Sequence, residues 1–117
     1  MKAGTAPCPI SPDPVPAGHE VHLIARFDLR KADRETFEIY EAGVLPLLPE
    51  HGGRLLHRLR ALDGTWELHV LSFRDAAAHA AYVADPRREA LAGVLATSRA
   101  IVEVELCDCV VPRGSER

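Results

Sequence analysis

The sequence predicts an α+β protein of the ferredoxin-like type, with elements in the order βαββαβ and a four-stranded antiparallel sheet. Residues 53–86 carry most of the evidence, because two alternating apolar segments flank Asp63-Gly64 and a helical segment follows Asp75. An Asp-Gly pair favours a short hairpin, and aspartate is a preferred helix N-cap. A strand and a helix before this stretch, and a strand after it, complete the order.

Alternation of side chains predicts the four strands over residues 20–28, 54–62, 66–73 and 101–110. The first helix begins after Asp33 and is predicted to bury an apolar stripe at helical spacing, formed by Phe37, Tyr40, Val44, Leu47 and Leu48. Pro46 and Pro49 weaken and then end that helix. Two further helices are predicted, over residues 76–83 and after Asp85 with Pro86 at its first position.

The domain organisation follows from composition. Residues 19–111 are predicted to form the ferredoxin-like domain, residues 1–18 a proline-rich flexible arm, and residues 112–117 a disordered tail. Apolar residues make up 47% of the chain and charged residues 26%, which is typical of a globular protein. The arm either drapes over a partner subunit or is a disordered leader.

Charge and cysteine usage exclude several classes of partner. A net charge of −3 gives no general attraction to nucleic acid or to anionic membranes, and no apolar run approaches the roughly 18 residues that span a bilayer. Three cysteines are too few for a disulfide framework or a four-cysteine zinc site. The N-terminal residues lack the apolar core of a signal peptide, so we expect a cytoplasmic protein.

The two faces of the predicted sheet differ in polarity. One face is almost wholly apolar and is expected under the helices; it comprises Val21, Leu23, Ala25, Phe27, Leu55, Leu59, Trp66, Leu68, Val70, Val102, Val104 and Leu106, with His57 among them. The other face is mixed and comprises His22, Ile24, Arg26, Arg54, Leu56, Arg58, Arg60, Glu67, His69, Leu71, Phe73, Glu103, Glu105 and Cys107. Such a half-charged face favours a sheet-on-sheet homodimer, with a solvated face as the alternative.

Four short motifs stand out, namely Tyr40 with residues 44–48, residues 51–56, Ser72-Phe73-Arg74-Asp75 and residues 82–86. They resemble the dimeric α/β-barrel superfamily, within which the small proteins related to the antibiotic-biosynthesis monooxygenases and to the DUF1330 group are most similar. The resemblance covers residues 20–110 and implies a dimer whose sheets close a barrel. It also implies small-molecule chemistry, such as cofactor-independent oxygenation of polycyclic phenols, cyclisation of polyketides, isomerisation or haem breakdown.

The resemblance also bears on individual residues. The monooxygenase branch often presents a histidine from the helix after the third strand. Alignment on Asp85-Pro86 places Tyr82 at that position and His79 three residues earlier. The asparagine-tryptophan pair of that branch is not evident, since the chain contains no asparagine.

Aromatic and histidine side chains are the candidates for a pocket between sheet and helices. Trp66 and Phe37 would supply apolar walls, and Tyr40 and Tyr82 would present hydroxyl groups. His57 would be either a pocket base or a buried hydrogen-bonded anchor. For each aromatic residue the alternative is ordinary core packing.

The mixed face offers a second set of candidates. His22 and Arg26 lie four residues apart on one strand, and each is expected to approach His69 on the next strand. Histidine transfers protons near neutral pH and arginine holds an enolate or carboxylate, so these residues suit acid-base chemistry. Arg58 is a further candidate for substrate binding. The alternative is that the histidines only pair with carboxylates across a dimer interface.

The sequence predicts no bound cofactor and no metal. His22, Glu67, His69 and Glu103 offer metal-ligating groups, but no spacing fixes their geometry. The sequence therefore favours a small-molecule enzyme of secondary metabolism that acts without a cofactor on an aromatic or polyketide-like substrate. The alternative is a non-catalytic ligand-binding or structural homodimer.

Overall fold

The computed structural model describes residues 19–108 and residue 110. Within them, the strands are β1 Val21–Asp28, β2 Gly53–Arg60, β3 Trp66–Phe73 and β4 Ile101–Cys107, and the helices are α1 Arg34–Val44, α2 Ala76–Val83 and α3 Pro86–Ser98. The sheet is antiparallel with strand order β2-β3-β1-β4. The predicted α+β ferredoxin-like fold is confirmed. The predicted arm and tail, residues 1–18 and 112–117, lie outside the described residues.

The predicted helix caps and the predicted turn glycine are present. Asp75 and Asp85 cap α2 and α3 by accepting the backbone N–H groups of Ala78 and Arg87, each at 2.8 Å. Gly64 has a φ of 78° in the loop between β2 and β3, where glycine carries little steric cost. Two 3-10 turns, Leu45–Leu47 and Pro49–His51, join α1 to β2. No helix among the described residues has the length and apolar character needed to cross a bilayer.

The helices cover one face of the sheet, and the core lies between them. Phe37 of α1 is fully buried, with its ring centroid 5.1 Å from that of Phe27 on β1. Phe73 of β3 is also fully buried, with its ring centroid 5.1 Å from that of Tyr82 on α2. These contacts fix α1 and α2 over the central strands.

The face predicted for β3 is wrong. In the structure Ala25 pairs with His69 and Phe27 with Glu67, so the residues of β3 under the helices are Glu67, His69, Leu71 and Phe73. Trp66, Leu68 and Val70 lie on the opposite face. Both alternating rows of β3 contain large apolar residues, so polarity does not decide which row faces the helices. Leu71 and Phe73 pack in the core, and neighbouring charged side chains pair with Glu67 and His69.

A β-bulge corrects the prediction for β2 as well. The pairing register with β3 shifts between Leu55 and His57. Leu55 faces the helices as predicted, but beyond the bulge His57 and Leu59 lie on the open face. Arg58 and Arg60 are turned toward the helices instead, opposite His69 and Glu67.

We use the name open face for the side of the sheet that the helices leave uncovered. It is more apolar than the sequence predicted, because Trp66, Leu59 and Ile101 are 47%, 50% and 62% exposed there. Its charged residues include Arg26, which pairs with Glu105 at 3.2 Å. Arg54 pairs with Glu20 at 2.9 Å.

A substitution at Gly53, at the start of β2, tests how closely this strand approaches the core. An added Cβ would lie 2.6 Å from the ring of Phe73. We expect Gly53→Ala to lower the free energy of unfolding by about 2 kcal/mol, because a fully buried ring has no room to move. Urea unfolding followed by circular dichroism measures the change.

Gly93 supplies the control, since nothing lies within 4 Å of its added Cβ on the exposed side of α3. Gly93→Ala is expected to raise the free energy of unfolding by about 0.5 kcal/mol through helix propensity. Equal effects of the two substitutions would contradict the packing assigned to Gly53.

Candidate active site

A cavity of about 360 Å³ lies between the sheet and the helices. Most of its wall is apolar, contributed by β1, β3, β4, α1 and α3. The polar or charged side chains that reach it are Tyr40, Glu41, His69, His79, Tyr82 and Arg88. An apolar hollow of this size with a few convergent polar groups is typical of a small-molecule site.

Tyr82 and Arg88 form one polar end of the cavity. The guanidinium carbon of Arg88 lies 4.6 Å from the centroid of the Tyr82 ring, a cation–π contact. The Nε atom of Arg88 is buried and has no hydrogen-bond partner among the described residues. Burial raises the pKa of the Tyr82 phenol, and the charge of Arg88 opposes that rise. This end of the cavity can bind an oxyanion.

His79 lies one helical turn before Tyr82 on α2 and also lines the cavity. Its ring centroid is 5.1 Å from that of Phe73. Burial lowers the pKa of His79, and the charge of Arg88 lowers it further. The imidazole is therefore kept neutral at neutral pH and can accept a hydrogen bond or a proton.

The other polar end is a charged cluster, formed by the buried side chains of Glu41 on α1 and of Glu67 and His69 on β3, and by the more exposed Arg58 and Arg60 of β2. His69 Nε2 lies 2.9 Å from both Glu41 Oε2 and Glu67 Oε1. Arg60 Nε donates to Glu67 Oε2 at 2.6 Å, and Arg58 Nε donates to Glu67 Oε1 at 3.3 Å. Arg58 also pairs with Glu41. Glu41, Glu67 and His69 are no more than 3% exposed.

The pKa values of the two carboxyl groups in the charged cluster are shifted in opposite directions. Burial raises the pKa of Glu41, and the neighbouring Glu67 reinforces that rise. Burial alone would also raise the pKa of Glu67, but the hydrogen bonds that it makes with His69 and Arg60 lower that pKa, which is held at about 2. Two carboxyl groups with separated pKa values beside a cavity are suited to acid-base work.

The same cluster has metal-ligand chemistry. One ligand atom from each of Glu41, Glu67 and His69 lies within 4.8 Å of the others. Arg58 and Arg60 already supply the positive charge that a divalent cation would bring. The arrangement therefore suits a proton better than a metal ion. The four metal-ligating groups considered from sequence are divided, since His22 and Glu103 lie on the open face.

Three of the predicted site residues meet at the cavity, namely Tyr40, His69 and Tyr82. Phe37 is fully buried and packs against the rings of Phe27 and Tyr40. Arg58 belongs to the charged cluster and lies beneath α1. The cavity thus gathers the two predicted tyrosines with one predicted histidine.

The remaining predicted residues lie on the open face. His22 and Arg26 were expected to approach His69, but His69 points to the helices from the opposite side of the sheet. Trp66 lies with Arg26 beside a surface hollow of about 390 Å³ and contributes nothing to the cavity. His57 is exposed, so the prediction that it faces the helices is wrong.

Sequence reasoning gave Glu41 and Arg88 no site role. The signal for Glu41 was present, because it follows Tyr40 and lies four residues after Phe37 and three before Val44, within the buried stripe of α1. Arg88 carries no comparable signal, since it is one of two adjacent arginines after Pro86. Only the approach of α3 to Tyr82 brings it to the cavity.

Comparisons with known proteins identify the fold. The sequence matches no protein-family model and no curated protein. Among solved structures, it is similar to SnoaB of Streptomyces nogalater, a cofactor-independent oxygenase, with 20% identity and a TM-score of 0.70; the match covers 83% of this chain and 99% of SnoaB.

Two further solved structures share the fold. A proposed antibiotic-biosynthesis monooxygenase from Caulobacter crescentus is 12% identical, with a TM-score of 0.67 and coverage of 81% of this chain and 93% of its own. A nipsnap family protein of unknown function from Agrobacterium tumefaciens is 17% identical, with a TM-score of 0.59 and coverage of 80% and 90%. The fold expected from the resemblance to the antibiotic-biosynthesis monooxygenases is confirmed.

Glu67→Gln tests the charged cluster through the pH dependence of stability. The pKa of Glu67 is about 2 in the folded protein, below its ordinary value of 4.5. Its stabilising contribution is therefore present above about pH 4.5 and is lost as pH falls toward 2. We expect Glu67→Gln to cost about 3 kcal/mol at neutral pH and less at about pH 3. Urea unfolding at both pH values measures the difference.

Glu103→Gln is the matched control, because Glu103 is an exposed carboxylate on the open face. It should change the free energy of unfolding by less than about 0.5 kcal/mol at either pH. A Glu67→Gln loss that stays the same at both pH values would contradict the electrostatics assigned to the cluster.

Proposed function

We propose that this protein is a small-molecule enzyme of secondary metabolism. It acts without a bound cofactor on an aromatic or polyketide-like substrate, by oxygenation, cyclisation or isomerisation. The single observation that carries the proposal is the cavity of about 360 Å³, which combines apolar walls with polar groups at two ends. A structural protein would gain stability by filling that volume with side chains.

The polar ends of the cavity divide the proposed chemistry. Arg88 and Tyr82 hold an oxygen of the substrate that carries negative charge, since Arg88 has a buried N–H group to donate. The His69 side of the cavity supplies acid-base groups, and Tyr40 presents a second phenol. The apolar wall between them accommodates the ring system.

The solved structures support the same kind of activity. SnoaB is described as a cofactor-independent oxygenase, and almost its whole length superimposes on this chain. The Caulobacter crescentus protein is described as a proposed antibiotic-biosynthesis monooxygenase. Neither similarity identifies a substrate for this chain, so the proposed substrate class rests on the apolar walls and polar ends of the cavity.

The open face supports a second proposal, which concerns assembly. It exposes Trp66, Leu59 and Ile101 on one flat side of the sheet. Burying such a surface against a second copy removes apolar area from water on both sides. We propose a cytoplasmic homodimer in which the two sheets pack face to face. A non-catalytic ligand-binding or structural homodimer is the alternative function that this face favours.

A cavity-filling substitution tests the site. Val104 lines the cavity from β4 but is 60% exposed, so a larger side chain can enter the cavity without displacing buried core residues. We expect Val104→Trp to weaken binding of a polycyclic phenol such as alizarin by at least about tenfold, because an indole occupies the ligand volume. Fluorescence titration measures the affinity.

Ile39→Trp is the control, since Ile39 is 57% exposed on α1 and does not line the cavity. It should leave the affinity for alizarin unchanged. If both tryptophan variants bind alizarin as tightly as the parent protein, the cavity is not the ligand site.

Turnover then separates an enzyme from a binding protein. With a polycyclic phenol as substrate, Arg88 still holds the ligand oxygen in Tyr82→Phe, so binding should weaken by less than about threefold while product formation, followed by mass spectrometry, falls by at least about tenfold. His57→Ala should change neither, because His57 lies on the open face. Binding without any product in the parent protein, across a panel of polycyclic phenols, would favour the non-catalytic alternative.

Leu68→Glu tests the homodimer. Leu68 is half-buried in the middle of β3 on the open face, so a charge there opposes packing of a second sheet. We expect sedimentation velocity at micromolar concentration to show a dimer for the parent protein and a monomer for Leu68→Glu. Leu62→Glu carries the same substitution at a fully exposed loop position and should remain dimeric. A monomeric parent protein would overturn the proposed assembly.

A further inference from the structure

Glu41 lies between two hollows. It lines the cavity on one side, and on the other it lines a surface hollow formed with Glu38, Ala42, Leu45, Pro46 and Arg58. The surface hollow is open to solvent between α1 and β2, whereas Glu41 itself is only 2% exposed. One buried carboxyl group thus forms part of the wall between the cavity and the surface hollow.

The two oxygens of Glu41 have different surroundings. Oε1 pairs with the guanidinium group of Arg58. Oε2 lies 2.9 Å from His69 Nε2, but that ring nitrogen has its hydrogen bond with Glu67 Oε1. Glu41 Oε2 therefore has no hydrogen bond among the described residues. A buried oxygen in this state requires a proton of its own or a donor from a ligand.

The charged groups around Glu41 leave a net negative charge that one proton would balance. The groups that face it or line the two hollows are Glu38 and Tyr40 of α1, Arg58 and Arg60 of β2, Glu67 and His69 of β3, His79 and Tyr82 of α2, and Arg88 of α3. Within the charged cluster and its neighbour Glu38, three carboxylates face two guanidinium groups. One added proton, on either Glu41 or His69, balances the charge of this group.

We propose that Glu41 is the proton-transfer residue of the cavity, that it exchanges its proton with solvent through the surface hollow, and that His69 and Glu67 hold its carboxyl group in position. This inference rests on the proposed function and names its substrate class, an acidic phenol or enol.

The proton transfer balances without an oxidant. The O–H bond or the activated C–H bond of the ligand breaks, and its electron pair stays on the ligand as a phenolate or enolate. The proton forms an O–H bond with Glu41 Oε2, and Arg88 at the other end of the cavity stabilises the ligand anion. Glu41 returns to its ionised form by releasing the proton into the surface hollow.

Alizarin serves as the probe, because the absorption spectrum of this polycyclic phenol changes when it ionises. We expect Glu41→Gln to slow the ionisation of bound alizarin after a pH jump, followed by stopped-flow absorption, by at least about tenfold, since the amide cannot accept the proton. Glu38→Gln removes a carboxylate that lines only the surface hollow, and it should leave that rate unchanged. Equal rates in the parent protein and in Glu41→Gln would overturn the proposal.

The route to solvent has its own variant. Ala42→Met adds bulk to the surface hollow from an exposed position on α1. In stopped-flow mixing it should slow the ionisation of bound alizarin by at least about threefold and leave the final spectrum unchanged, because it obstructs the path and not the acceptor. Ala90→Met, at an exposed position on α3, is the control and should not change the rate. An unchanged rate in Ala42→Met would overturn the assigned route.

A measurement on the ligand-free protein separates this inference from the proposed function. Above about pH 5.5, where ordinary carboxyl groups are ionised, the infrared spectrum of the parent protein should contain a protonated-carboxyl C=O band that disappears at higher pH and is absent from Glu41→Gln. A carboxyl band that titrates in a protein unable to bind alizarin would support Glu41 as the exchanging group and reject the aromatic substrate. The inference would be overturned if the parent protein lacks this band and its ¹³C NMR spectrum shows no glutamate carboxyl with a raised pKa. Both measurements use the parent protein, so they remain decisive even if Glu41→Gln does not fold.

Discussion

The inward-facing charges of β3 constrain the rest of this structure. Glu67 and His69 point from the middle of the sheet toward the helices, where an unpaired carboxylate is costly. Arg58 and Arg60 reach Glu67 only because the bulge in β2 turns them to the same face. The register of the hairpin between β2 and β3 is therefore tied to an electrostatic requirement on the helix side of the sheet, since a slip of one residue would turn both arginines to the open face and leave Glu67 without them.

This requirement also shapes the cavity. The charged cluster occupies the space between α1 and the β2 side of the sheet, so apolar packing there is interrupted. On the other side, Val104 and Leu106 of β4 face the helices but remain 60% and 62% exposed. The apolar core thus ends at charged groups on one side and at uncovered aliphatic groups on the other. Charged groups beside an apolar, low-dielectric volume interact more strongly than they would in water.

The sequence allowed the order of elements to be predicted because the signals are local. Asp75, Asp85 and Gly64 each fix a cap or a turn within a few residues, and the structure contains all three. The side of the sheet on which β3 places its residues depends on distant partners instead. Trp66 and Leu68 are the more hydrophobic residues at the start of β3, so polarity alone assigns them to the core. Their exposure follows from the arginines that a bulge in β2 supplies, and the β2 segment contains no interior glycine or proline to signal that bulge.

The corrected faces separate two tasks that the sequence had combined. His69, Tyr40 and Tyr82 lie on the helix side with the cavity, whereas Arg26, His57 and Trp66 lie on the open face. A ligand in the cavity contacts none of the open-face residues, so substitutions on that face can change association without changing the polar groups that line the cavity. The reverse also holds for Glu41 and Arg88, which the helices carry away from the open face. Under the proposed site and the proposed homodimer, chemistry and assembly are assigned to alternate residues of the same strands, and in β2 the bulge decides which residues lie on which face.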